Sequence, residues 1–182
     1  MKRKTTKEIL AESFRELAET RPIDKITVKD ITSNCEYSTA TFYRQFKDKY
    51  DLIAWSYGRD VEKNLERLTF DEAGWKQVLL DAAKYYYEHK EYLKNLLLHT
   101  EGYDSFVNNM TEINYVGLTR KIYNSYPQTK KDKRIDMMIR IYVIGTVGIT
   151  CEWILGGYTA EPDVLSEVYE KAMPEMLREY LY

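Results

Sequence analysis

Ile26 to Lys49, ITVKDITSNCEYSTATFYRQFKDK, is the stretch whose reading decides the fold. It reads as two short helices joined by a tight turn, with Lys49 marking the start of a third. The Thr27 hydroxyl can cap the first helix, and Asp30, three residues on, supplies the acidic partner of a capping box. Val28, Ile31 and Cys35 recur at helical spacing, so that helix has an apolar face. Cys35-Glu36-Tyr37 leaves room only for a turn. Ser38 is suited to cap the second helix, and Phe42 and Phe46, four residues apart, can anchor it from behind. Thr39, Thr41, Arg44 and Gln45 are left to face outward. A helix pinned from behind that presents small polar groups and an arginine is what the DNA major groove accepts.

Within that stretch, ITSNCEYSTATFYRQFKDK resembles the helix-turn-helix signature of the TetR repressors, close to I-A-x-x-A-G-V-S-x-G-T-L-Y-x-H-F-x-x-K. Ile31, Ser38, Thr41, Tyr43, Phe46 and Lys49 match directly, and Cys35, Ala40, Phe42 and Gln45 are near substitutions. Glu36 stands where the family has a small turn residue, commonly glycine. Tyr37 replaces a small aliphatic. If the Glu36 position needs a positive φ, glutamate costs about 1 kcal/mol there.

The resemblance implies an all-α protein. A three-helix helix-turn-helix DNA-binding domain would occupy residues 1–50, and a helical ligand-binding and dimerisation domain residues 51–182. Ser38–Phe46 would carry recognition of double-stranded DNA. Within it Thr39, Ala40 and Arg44 are expected at base edges or the adjacent backbone, with Arg44 reading guanine or pairing with a phosphate. Thr27, Thr41, Tyr43 and Lys49 are expected at phosphates, Lys49 because its ammonium lies at a helix N-terminus.

Charge distribution agrees with contact at one end. The net charge is −2, but residues 1–50 hold 11 Lys+Arg against 8 Asp+Glu, and the rest of the chain is acidic. Only Cys35 and Cys151 are present, both within apolar patterns, which reads as buried small hydrophobes. The start, MKRKTTKEIL, has no apolar core of a secretory signal, and Lys2, Arg3 and Lys4 read as a basic arm. The most apolar run, Ile141 to Cys151, is shorter than the ~20 residues a membrane helix needs, so a cytoplasmic protein without a membrane segment is expected.

Lys4 to Thr20 carries Leu10, Phe14 and Leu17 and reads as the first helix, stopped by Arg21-Pro22. Lys49 to about Leu68 makes a longer helix, shared between head and body. Asp71 is placed to cap the next one, with Trp75, Val78, Leu79, Ala82 and Tyr86 along its stripe. A short helix, Tyr92–Leu98, and one from Phe106 to before Pro127 follow, and Gln128–Arg134 reads as an exposed loop. Arg134–Leu155 is the most apolar helix, stopped by Gly156-Gly157. Pro162 opens a last helix to Leu181, which Pro174 should kink or divide.

In the resemblance the last two long helices of each subunit form a four-helix homodimer interface. Gly145 and Gly148 would admit a partner helix, and Ile141, Ile144, Val168 and Leu177 would supply buried area. Two copies related by a two-fold axis would then reach the halves of a near-palindromic operator. Control is expected from a small-molecule effector or a regulatory partner protein. Tyr86, His89, His99, Tyr103, Tyr115, Tyr142 and Trp153, with Tyr85, Tyr87 and Tyr123, are the aromatics with polar tips that could line a pocket. The segment CEWILGGYTAEPDVLSEV loosely resembles a branch that includes dihydroxyacetone-kinase regulators, where the signal arrives through a protein partner.

No cofactor is implied. His89 and His99 are ten apart, with no helical pair of ligands for a metal. No glycine-rich phosphate loop or nucleophile motif occurs, so an enzyme is not expected. The alternative from another class is a protein-interaction adaptor that uses the helical body without binding DNA.

Overall fold

A computed structural model describes residues 4–102 and 105–182. Lys2, Arg3 and Tyr103 therefore lie outside the described residues. The described chain is helical: α1 Thr6–Ala18, α2 Val28–Asn34, α3 Thr39–Tyr43, α4 Lys49–Leu65, α5 Glu72–Glu88, α6 Lys90–Leu98, α7 Phe106–Ser125, α8 Lys133–Leu155, α9 Pro162–Lys171 and α10 Glu175–Leu181. Single 3-10 turns at Ile23–Lys25 and Pro127–Lys131 sit between them; the second occupies most of the stretch read as a loop.

Local chemistry sets the helix ends. Thr5 and Glu8 form a reciprocal capping box on α1, Thr27 and Asp30 form another on α2, and Ser38 Oγ accepts from Thr41 N at α3. Asp48, Asp71 and Asp132 cap α4, α5 and α8. On α2 the bonds from the Thr27 hydroxyl and then the Thr27 backbone N–H, with Arg21 beside them, hold the Asp30 carboxyl down at about 2. Pro162 occupies the first turn of α9, and α10 starts after Pro174, so the proline divides the last helix. Gly156 ends α8 at φ 91°, a left-handed conformation that glycine adopts without steric cost.

The turn between α2 and α3 is built as the sequence required and filled unusually. Tyr37 N–H reaches Thr32 O at 2.9 Å and Glu36 N–H reaches Ser33 O at 3.4 Å, the paired bonds of a Schellman motif. Its left-handed position is Glu36, at φ 59°. Glutamate there bears the strain that glycine would avoid.

The head packs α1, α2 and α3 around Leu10, Phe14, Ile23, Ile26, Ile31, Phe42 and Phe46, with Leu52 and Ile53 of α4 completing the core. Phe46, in the connection after α3, meets Trp55 of α4 edge-on at 5.5 Å, which fixes the end of the α3 segment to α4. α4 then continues into the body, where α7 crosses it closely: a Cβ on Gly117 would come within 2.9 Å of Leu65 Cδ1. α7 packs on α8, α5 pairs with α9, and α10 packs on α8.

By length and composition α8 could cross a membrane, with a window of mean hydropathy 1.5. In this fold, however, Ile139, Val143, Val147 and Ile154 on it are buried in the protein core.

Candidate nucleic-acid interface and body cavity

On α3 the anchoring side chains turn inward and the polar ones outward. Phe42 is fully buried and Phe46 nearly so, while Ser38, Thr39, Ala40, Tyr43 and Arg44 are exposed and Thr41 is half-buried. Tyr43 is 60% exposed, its ring set edge-on to Phe42 at 5.6 Å, so the hydroxyl is carried outward on a fixed ring. Arg44 lies back along its own helix. Nε donates to Ala40 O and Nη2 to Thr41 Oγ1, each at 3.3 Å. Bonds that long and exposed are readily exchanged for a better acceptor. Thr27 is exposed, but its hydroxyl is already engaged with Asp30 at 2.6 Å.

Lys49 corrects the sequence reading. Its ammonium does not point out at the start of α4; it donates to Ile23 O at 2.8 Å, Ile26 O at 2.9 Å and Asp24 O at 3.3 Å. Burial draws its pKa downward. The Tyr50 and Asp51 N–H groups at the start of α4 are taken by the Asp48 carboxylate, which would repel a phosphate. Lys49 thus ties the 3-10 turn to α4. Sequence reasoning passed over Lys29 and Lys47, both exposed and without an ion-pair partner among the described residues. Lys4, read as part of a free arm, pairs with Glu12 at 2.7 Å.

The expected pocket aromatics do not gather in one place. A cavity of about 380 Å³ lies between α4, α5, α7 and α8, with Tyr169 of α9 also in its wall. Tyr86 and Tyr142 line it, as does Tyr85. The other described candidates lie elsewhere. His89 stands against Tyr85 at 4.7 Å outside the lining, and His99 pairs with Asp24 of the head at 3.3 Å. Tyr115 bonds Asp136 and is stacked under Arg140, and Trp153 donates to Ala160 O at 3.0 Å. Residues not foreseen as lining include Tyr57, Asn64, Trp75, Asn114, Thr146 and Thr150. Burial pushes the hydroxyls of Tyr57, Tyr86, Tyr142 and Tyr169 above their ordinary pKa, so the phenols there stay neutral. Burial also raises the Cys151 thiol to about 11, which leaves it unreactive at neutral pH.

On the outer side of α8, Met137, Ile141, Ile144 and Leu155 are exposed at helical spacing, Ile141 by 62% and Ile144 by 53%. Nothing lies within 4 Å of a Cβ built on Gly145 or Gly148. Val164 and Val168 add an exposed apolar pair on α9. Leu177 does not belong with them: it is fully buried, because α10 folds back onto α8 after Pro174 and turns that leucine into the core.

Residues 9–54 match the family model described as bacterial regulatory proteins, tetR family, and residues 74–174 match one described as transcriptional regulator C-terminal region. A curated relative, the HTH-type dhaKLM operon transcriptional activator DhaS of Lactococcus lactis subsp. lactis (strain IL1403), is 24% identical over 101 residues, covering 56% of this chain and 54% of the relative. The aligned segment thus spans about half the length of that relative. A solved structure of the dihydroxyacetone kinase operon activator DhaS superposes with a TM-score of 0.67 over 97% of this chain and 98% of that one, at 18% identity. That likeness is one of fold.

Proposed function

This chain belongs to the TetR family of bacterial regulatory proteins, and we propose that it works as a homodimer on a near-palindromic operator, controlled through its helical body. The observation that carries the operator reading is α3. Its apolar side is locked by Phe42 and Phe46, and its other side offers Ser38, Thr39, Ala40, Tyr43 and Arg44 to the outside. Thr39, Ala40 and Arg44 take the base edges. Thr41, Tyr43 and Lys47 serve the phosphates, with Lys47 in the place first given to Lys49, and the backbone around Thr27 flanks them. One five-residue helix reads too few base pairs alone, which is why two copies act together.

The uncovered apolar stripe of α8, with Val164 and Val168 of α9, is the surface through which the copies associate. A monomer in water would leave that face unpaired. The protein acts in the cytoplasm, where its operator is. A signal that binds one arrangement of the body more tightly than the other shifts the spacing of the two α3 helices; equal affinity for both shifts nothing. The relative is named as an activator, and activation is the corresponding output for this chain.

The test is selection of bound sequences from a random duplex library, followed by salt titration of the winners. An enriched inverted repeat, lost steeply as salt rises, is the expected result. Arg44→Ala should then lower operator affinity by about 1–3 kcal/mol with dimerisation unchanged. If no sequence is enriched, a protein-interaction adaptor built on the same body becomes the better reading.

A further inference from the structure

Resting on the reading of the body as the control element, we propose that the seam between α4 and α5 is the entrance to its cavity, latched by the Arg67–Asp81 ion pair. The exposed residues of the lining show where the cavity meets solvent. These are Lys63 on α4, Arg67 just after it, and Glu88 on α5. By contrast α7, α8 and α9 line it with buried or half-buried residues alone, Leu118, Val143, Val147 and Tyr169 among the buried ones. Solvent therefore lies on the α4–α5 side.

Polar bonds close that seam. The Tyr85 hydroxyl donates to Asp60 at 2.9 Å, Asn64 Nδ2 to Val78 O at 2.9 Å, and Arg67 Nη1 to Asp81 at 2.8 Å. Positions 60, 64 and 67 follow the helical period, as do 78, 81 and 85, so the three bonds form a row between the two segments. Water can replace such bonds as helices part, whereas apolar contacts would have to expose their area. The row is weakest at Arg67. Asp60 is held a second time, by Arg15 at 3.0 Å, and the Asn64 bond is partly buried. The Arg67 side chain is 59% exposed and bonds Asp81 alone among the described residues. A rival way in is the groove between α4 and α7, lined by Gly58, Ile113, Val116 and Gly117 and crossed by the Arg120–Glu62 pair; Val61 belongs to both linings. Apolar packing shuts that wall: a Cβ on Gly117 would meet Leu65 Cδ1 at 2.9 Å, which leaves no passage there.

The test follows entry itself and needs neither operator nor effector, so its result stands apart from the control reading. In a chain carrying Cys35→Ser and Cys151→Ser, Val147→Cys puts a single thiol on the α8 wall of the cavity. Leu118→Cys, on the α7 wall, is the second reporter should the first fail to fold. Methyl methanethiosulfonate, small and uncharged, labels the thiol it reaches, forming a mixed disulfide and releasing methanesulfinate. Arg67→Ala should speed labelling by about two- to fivefold, the factor that an exposed ion pair is worth. Arg120→Ala, which cuts the pair across the rival groove, should leave the rate unchanged. The rate should also be flat in low urea, because parting one seam exposes little surface. Equal rates in Arg67→Ala and its parent overturn the proposal. So does acceleration by Arg120→Ala as large as that by Arg67→Ala, which would move the entrance to the α4–α7 groove or make it unspecific. A rate that climbs with urea at the slope of complete unfolding overturns it as well, since the reagent would then be meeting the unfolded chain.

Discussion

Two lysines at the edge of α3 show how a single residue's surroundings decide its role. Lys49 spends its ammonium on three backbone carbonyls of the turn before α2, and Lys47 spends its ammonium on nothing within the described residues. The two should therefore separate cleanly when mutated. Lys47→Ala should weaken operator binding and reduce the slope of log affinity against log salt by about 1, with thermal stability little changed. Lys49→Met should lower stability by about 1–2 kcal/mol, as half-exposed charge-assisted bonds to carbonyls are lost, and leave the salt slope alone. Denaturant titration beside salt-dependent binding reads both; a reduced slope in Lys49→Met would return that lysine to the phosphates. The sequence motif contains Lys49 but not its partners, which lie 23 to 26 residues earlier. Local roles were legible: Thr27 with Asp30, and Ser38 with Thr41, need only neighbours three residues away. Glu36 was legible only through the resemblance, since the small turn residue the family has at that place raised the question of a positive φ.

At the level of the helix, periodicity found the elements but not which way each stripe faces. Ile144 and Leu177 both sit in apolar patterns; the first is 53% exposed and the second fully buried. What separates them is Pro174, which ends the α9 stripe and lets α10 pack independently. The same limit scattered the pocket candidates. Aromatic content could not tell Trp75, in the cavity wall, from Trp153, bound to Ala160 O outside it. The available signal was a polar residue beside an apolar stripe: Asn64 next to Val61, Leu65 and Leu68. For α8 the expected outcome is specific. Ile144→Asp should place a charge in the proposed contact and give monomers in sedimentation at concentrations where the parent is dimeric. Its helical circular dichroism should remain, because the side chain touches no buried core in one subunit. A dimer that survives this change would place the interface elsewhere.

Across the whole molecule, head and body are joined by polar ties, through which the proposed control of the head would run. Arg15 of α1 reaches Asp60 of α4, and Asp60 together with Tyr85 lines the cavity. Asn95 of α6 makes the second tie. Its Nδ2 donates to Ala18 O and Arg21 O, each at 2.8 Å, and its Oδ1 accepts from Ile23 N at 3.1 Å. It thereby satisfies carbonyls that the end of α1 leaves without partners, and fixes the segment that leads into α2. If these ties set the angle of the head, cutting one should cost order at the junction before it costs the fold. Asn95→Ala should speed amide exchange through residues 19–27 by an amount equal to about 1–3 kcal/mol of lost protection, with α5 and α9 protected as before. Operator affinity should fall in the same variant, since each head must then be ordered on the DNA. Unchanged exchange at the junction would mean that apolar packing of α4 alone carries the coupling, and that Asn95 is dispensable to it.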